Sequence, residues 1–279
     1  MAMVINTNVA SINAQRQLTN TNNALSTSME RLSSGLRVNS AKDDAAGLAI
    51  ANKMTSQIRG MTVASRNAND GVSMAQTAEA AMGVMTETMQ RMRDLGVQAA
   101  NTGAVTSEDK EKLQTEFKQL NDELQRVITN TEFNGKKIIN GSLSGGVDFQ
   151  VGANTATDNQ IAISVDNLSG TIASVFTASI GSNASAGDVL AAITSLDTAI
   201  KSIDNSRSKL GAVQNRFTTT ISNLASAIEN QSAARSRIID TDFAAETAAL
   251  SRNQILQQAG TAMLSQANQA PNSVLGLLR

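Results

Sequence analysis

Neither histidine nor cysteine occurs anywhere in the 279 residues of this chain, and tryptophan and tyrosine are missing as well. Without the first two there is no ordinary general base near neutral pH, no thiol nucleophile and no disulfide. The usual ligands for zinc and haem are gone too. Only carboxylate or lysine chemistry remains, and no cofactor is expected. Aromatic residues reach just 2%, all phenylalanine, so the stacking platforms that hold single-stranded nucleic acid are lacking. A net charge of -1 supplies no basic field for a phosphate backbone. No run approaches the roughly 18 apolar residues of a membrane span. Neither nucleic acid nor a membrane is an expected partner. The opening Met1–Asn8 lacks a basic stretch followed by an apolar one, and so does not read as a cleaved signal peptide. Proline occurs once, at Pro271, so almost nothing forbids long helices.

What is present is helical periodicity. Val189, Ile193, Leu196, Ile200, Ile203, Leu210, Phe217, Ile221, Leu224 and Ile228 follow an alternating four-and-three spacing that only Arg207 and Gln214 interrupt. Such a series puts one narrow apolar stripe on a helix, which can bury it only against other long helices. Continued to Ile238, the helix would be roughly 75 Å long at 1.5 Å per residue. Arg207 and Gln214 read as edge polar residues that fix register rather than as an active site.

Two helices upstream can serve as partners. Ser40-Ala41-Lys42-Asp43 is a capping box opening a helix that carries Leu48, Met54, Ile58, Met61, Met82, Met85, Met89 and Met92, and that should stop before Asn101-Thr102-Gly103. Its methionines are taken as flexible filler of a helix seam rather than as a binding surface. Thr106-Ser107-Glu108-Asp109 is a second box, followed by Leu113, Phe117, Leu120, Leu124 and Val127. The short connection folds this helix back antiparallel to the one before. From Asn134 to Gly187 glycine, serine, asparagine and threonine dominate. Asn134-Gly135 and Asn140-Gly141 signal turns, and Phe149–Val151 and Ile161–Val165 alternate with period two. Short hairpins are expected there, at one end of the long helices.

The two ends are weaker. Residues 4–34 form an amphipathic helix with the face Ile5, Val9, Ile12, Leu18, Leu25, Met29 and Leu32, stopped at Gly35. Residues after Asp242 carry Phe243, Leu250, Leu256, Met263 and Leu264 until Pro271 checks the helix. Neither terminal helix has enough apolar surface to stand alone. Both should order by packing side by side and against copies of themselves. A patch that meets a different patch on the next copy generates a ring or a filament.

Several stretches then match a known family. Ile5-Asn6-Thr7-Asn8, Glu30-Arg31-Leu32-Ser33-Ser34-Gly35, Lys42-Asp43-Asp44-Ala45-Ala46-Gly47, Arg66-Asn67-Ala68-Asn69-Asp70-Gly71 and Thr131-Glu132-Phe133-Asn134-Gly135 resemble the N-terminal signature of bacterial flagellin. Ala234-Arg235-Ser236-Arg237-Ile238-Ile239-Asp240-Thr241-Asp242-Phe243 through Gln269-Ala270-Pro271-Asn272 resembles its C-terminal signature. The middle matches nothing so specific, as suits a family whose central region varies in length. The resemblance implies a mainly α fold: an elongated antiparallel helical bundle, or coiled coil, with a small β-hairpin region in the middle of the chain. It implies paired terminal helices at 1–40 and 240–279 as an inner filament core, a coiled-coil rod from 41–133 and 186–239, and a short β-rich outer region at 134–185.

The function so implied is that of a non-enzymatic subunit. It leaves through the flagellar type III export channel and polymerises into the extracellular filament that drives swimming. Implied partners are other copies of the chain, an export chaperone, and the filament cap and hook-junction proteins. Toll-like receptor 5, which recognises many flagellins, would read a patch resembling Gln90–Val97, with Arg91, Leu95 and, on the adjacent helix, Glu116 carried over by position. Taken without the family, Arg91 and Glu116 are a solvated ion pair. Other functions fit the residues less well, a cytoplasmic coiled-coil signalling protein among them, because its ends would not need to be unstable. A junction protein of the same organelle would share the terminal helices but stop after a few copies. An enzyme would need a catalytic insertion, and Asp148, Asp158, Asp166 and Asp188 are scattered rather than paired.

Overall fold

A computed structural model of the chain describes residues 7–275. They form five long helices, two two-stranded antiparallel sheets and two single-turn helices. The chain divides into two compact units, 1–56 with 229–279, and 57–228.

In the second unit the frame is α2 (Ala45–Ala100), α3 (Ser107–Asn130) and α6 (Ala186–Ile239), the first and last of which continue into the other unit. The helices start where the sequence supplies acceptors for their free N–H groups. Thr106 Oγ accepts the Asp109 N–H (3.2 Å) and donates to the Asp109 carboxylate (2.7 Å) at the head of α3. Ser185 and Asp188 make the same reciprocal box for α6. These bonds hold both carboxyls below the ordinary aspartate range, so each helix begins beside a full negative charge.

Antiparallel packing is fixed by contacts all along α2. Arg93 pairs with Asp197 at 2.7 Å, and the Gln214 amide donates to Glu79 at 2.9 Å. Glu79 also faces Arg207 at 4.0 Å, so both interruptions of the apolar series meet one carboxylate. The series itself is shifted from expectation. Val189, Leu196, Ile203, Leu210 and Phe217 are fully buried, but Ala192, Ala199 and Ser206 lie deeper than Ile193, Ile200 and Arg207. Small side chains let α6 roll toward its neighbours, and the larger ones then pack at the flank. Met82, Met85, Met89 and Met92 are completely buried opposite, as seam filler requires.

Strands β1 (Glu132–Phe133) and β2 (Lys136–Lys137) form a hairpin on Asn134-Gly135, whose φ angles of 49° and 74° suit only such residues. Strands β3 (Val147–Gln150) and β4 (Gln160–Ile163) pair antiparallel with Phe149 opposite Ile161. The rest of the segment is not hairpin but two helical turns, α4 (Leu168–Thr171) and α5 (Ala173–Phe176). Nor does the segment stand at one end. It lies along the helices, with Asn67 of α2 donating to the Gln150 carbonyl at 3.0 Å and Gln114 of α3 accepting the Ile180 N–H at 2.7 Å. Ile138, Ile139, Leu143, Ile163, Leu168, Ile172 and Val175 all join the core.

A tight joint between helices in this unit is Phe217 of α6. Its ring meets Phe149 edge to face, with centroids 5.9 Å apart, and a Cβ on Gly71 would stand 2.7 Å from it. Gly71→Val should therefore destabilise the second unit by about 1–3 kcal/mol through overpacking. At Gly211 nothing lies within 4 Å of an added Cβ, and Gly211→Ala should stabilise by up to about 1 kcal/mol through helix propensity. Opposite shifts in the thermal midpoint of the two variants would confirm the joint.

In the first unit α1 (Val9–Ser34) pairs with α7 (Phe243–Leu275). Gly35, at φ 73°, ends α1 as a left-handed cap with its N–H on the Arg31 carbonyl. Arg37 N–H then donates to Ile239 O (2.7 Å) and Thr241 N–H to Gly35 O (2.9 Å), which ties the two interhelix connections together. Asp43 accepts from the Ser40 and Asn39 amides, but this box makes only a turn. Helix α2 starts at Ala45, where Asp44 accepts the Gly47 N–H at 2.8 Å and serves as the cap. Asp242 caps α7 through the amides of Ala244 and Ala245. Contrary to expectation, α7 runs through Pro271 to Leu275.

Candidate functional site: the outward face of the terminal helix pair

Helices α1 and α7 meet through a seam that is unusually polar. The buried positions of α1 are Ser11, Thr21 and Ser28, with Leu18, Leu25 and Leu32 half-buried on the same seam. From α7 the half-buried positions include Glu246, Leu250, Asn253, Gln257, Gly260 and Leu264, again at heptad spacing. Gly260 leaves room for Leu18, since a Cβ there would lie 3.3 Å from its methyl. Hydrogen bonds do much of the joining. Ser11 donates to Asn268 at 2.7 Å, Gln257 to Asn22 at 2.9 Å, and Arg31 faces Glu246 at 3.7 Å.

The large apolar side chains point the other way. Val9, Ile12, Met29, Phe243, Leu256 and Met263 are each about half exposed or more, and Ile255 reaches 65%. Of the twelve large hydrophobic residues exposed among the described residues, eight belong to this first unit. A helix pair that buries serine and threonine while showing isoleucine, methionine and phenylalanine has its hydrophobic driving force unspent on the outside.

The twelve terminal residues expected from the sequence therefore divide by role. Leu18, Leu25, Leu32, Leu250 and Leu264 are turned toward the chain's own partner helix. Val9, Ile12, Met29, Phe243, Leu256 and Met263 form the outward face, and Ile5 lies outside the described residues. Sequence periodicity missed Ile255, because beside Leu256 it doubles a position in the heptad. The doubling itself was the available signal.

The second expected patch sits on α2 and α3. The Arg91 guanidinium donates twice to Glu116, at 2.9 and 2.7 Å, and both side chains are largely exposed. Leu95 does not share that surface. It is 1% exposed and belongs to the core, so nothing approaching from solvent can touch it. Arg91 stands one turn earlier on the same side of α2, but its long side chain reaches out to the surface while the shorter Leu95 packs into the core. Gly96 is buried too, 3.1 Å from Ile193 if given a Cβ, so a glycine lets α6 close on α2 there.

None of the described helices is long and apolar enough to cross a membrane. Comparison with known proteins identifies the family. Residues 5–144 match the bacterial flagellin N-terminal helical region and residues 193–278 the C-terminal helical region. The chain is 42% identical to the flagellin of Bacillus subtilis, over 99% of this chain and all of that protein. It is 39% identical to flagellin D of Vibrio cholerae serotype O1, with both chains fully covered. Among solved structures, Bacillus cereus flagellin superposes with a TM-score of 0.50 at 28% identity, covering 61% of this chain and 94% of that one. With both helical regions matched in order and relatives aligned end to end, this chain belongs to the bacterial flagellin family and is a subunit of the flagellar filament.

Proposed function

We propose that polymerisation runs through the outward face of the terminal pair, with Val9, Ile12, Met29, Phe243, Ile255, Leu256 and Met263 as its contacts. One observation carries this: the pair buries Ser11, Thr21 and Ser28 and exposes its largest apolar side chains. Copies stacking on that face would place 1–40 and 240–279 at the filament core. The rod of 41–133 and 186–239 lies outside them, and 134–185 outermost. The subunit acts after export to the cell exterior, as a building block of the filament and not as a catalyst. An export chaperone, the filament cap and the hook-junction proteins are its partners, and each would use the same apolar ends.

Electron microscopy of the purified full-length chain, after addition of a precipitating salt and short filament seeds, tests this. Long uniform filaments are expected. Persistent monomers or short capped pieces would instead assign a junction role.

Recognition by Toll-like receptor 5 is a separate proposal, resting on Arg91 and Glu116 alone, with Leu95 supporting them from below. Arg91→Ala should change stability by no more than about 1 kcal/mol, because exposed ion pairs contribute little. The same substitution should lower receptor-driven reporter activity by tenfold or more. An unchanged dose response would remove the patch from the proposal.

A further inference from the structure

Helix α7 continues through a proline, and the chain supplies a means. Proline has no N–H, and its ring crowds the carbonyl four residues earlier. In α7 that carbonyl belongs to Ala267, four residues before Pro271, and it is left without an intrahelical donor. The structure gives it another. The Asn8 side-chain amide donates to Ala267 O at 2.7 Å, across a separation of 259 residues. The same side chain is the N-cap of α1, its Oδ1 accepting the Ser11 N–H at 3.1 Å. Next to it the Ser11 hydroxyl donates to Asn268 at 2.7 Å.

We infer that Asn8 is a two-headed cap that makes the last turn of α7 conditional on α1. With its acceptor it starts one helix, and with its donor it replaces the hydrogen bond that Pro271 removes from the other. When α1 is absent or unpaired, Ala267 O loses this donor and Pro271 acts as the break that its chemistry dictates. When α1 is in place, the turn beyond Pro271 forms. The end of α7 thus waits on α1, whose own cap needs only the Ser11 N–H. Serine or aspartate would cap α1 as well as asparagine does, but neither has an amide to give. That donor is what asparagine adds at position 8.

Amide hydrogen exchange read by mass spectrometry on the full-length chain tests this. It would be run on the free chain and on sedimented filaments, following the peptide that contains residues 272–275. In the parent chain those amides should be protected. Asn8→Asp keeps the cap and loses the donor. It should cut their protection about tenfold, the effect of one hydrogen bond, and leave peptides of α3 unchanged. In a Pro271→Ala background Ala267 O regains an intrahelical donor, and the same Asn8→Asp change should then matter less than twofold. Three results would overturn the coupling: no protection past Pro271 in either form of the parent chain, no loss in Asn8→Asp, or an equal loss with and without the proline.

Discussion

Removal of Phe243–Arg279 should leave a soluble, helical monomer that forms no filaments at any salt concentration or seed density. The deletion takes away the whole of α7 and, with it, the helix that α1 packs against along its length. What α1 then exposes is a seam of Ser11, Leu18, Thr21, Leu25 and Ser28. Too little apolar surface remains there to hold a 26-residue helix in water. Circular dichroism should show helix lost from both terminal segments, not from α7 alone. The melting of the second unit should hardly move, since its core and the residues packed against it reach no further than Ile228. Filaments from the truncated chain would sink the terminal-pair mechanism. A melt that collapsed altogether would show that the second unit cannot stand without the first.

Leu196→Asp is the substitution expected to cost most in stability. The side chain is fully buried in the large core. Its loss alone should destabilise by about 2–5 kcal/mol, and a carboxylate with no partner adds a desolvation penalty. Against a typical total of about 5–15 kcal/mol, the second unit should be largely unfolded at neutral pH. Burial raises the pKa of such a carboxyl, so the deficit should shrink as the pH falls and the group goes neutral. Leu224→Asp provides a graded comparison. Leu224 is 9% exposed and packs in a small separate cluster with Met61 and Ala64, so its replacement should cost clearly less. Equal melts for the two variants would mean the seam has been misplaced.

Much of this architecture is legible in the sequence because its signals are local. Gly35, Thr106 with Asp109, and Ser185 with Asp188 each mark a helix end by chemistry that needs no tertiary context. Heptad spacing located α6 and its partners for the same reason. The parts that were not legible depend on a neighbour. Periodicity cannot tell which apolar face of α1 meets α7 and which meets another molecule, so Leu18 and Ile12 looked alike. The motif places Leu95 beside Arg91, and only its burial in the packed core shows that it faces inward. In 134–185 the buried residues Ile138, Leu143, Leu168 and Ile172 follow no single period, because each fills a different gap beside the long helices. Pro271 by itself signals a stop, and the donor that offsets it lies at the opposite end of the chain.

The distribution of methionine has a chemical consequence for a protein that works outside the cell. Met82, Met85, Met89 and Met92 are sealed in the core, where peroxide cannot reach their sulfur atoms without unfolding the second unit. Met29 and Met263 are 57% and 60% exposed. Among the described residues of the free chain they are the most exposed sulfur atoms, and a sulfoxide there would plant a polar, chiral group in the contact proposed for polymerisation. A subunit damaged before incorporation would thus be rejected at the growing end. Once stacked, each subunit would shield the vulnerable thioethers of its neighbour. Oxidative wear would then fall on the unassembled pool and spare the finished fibre.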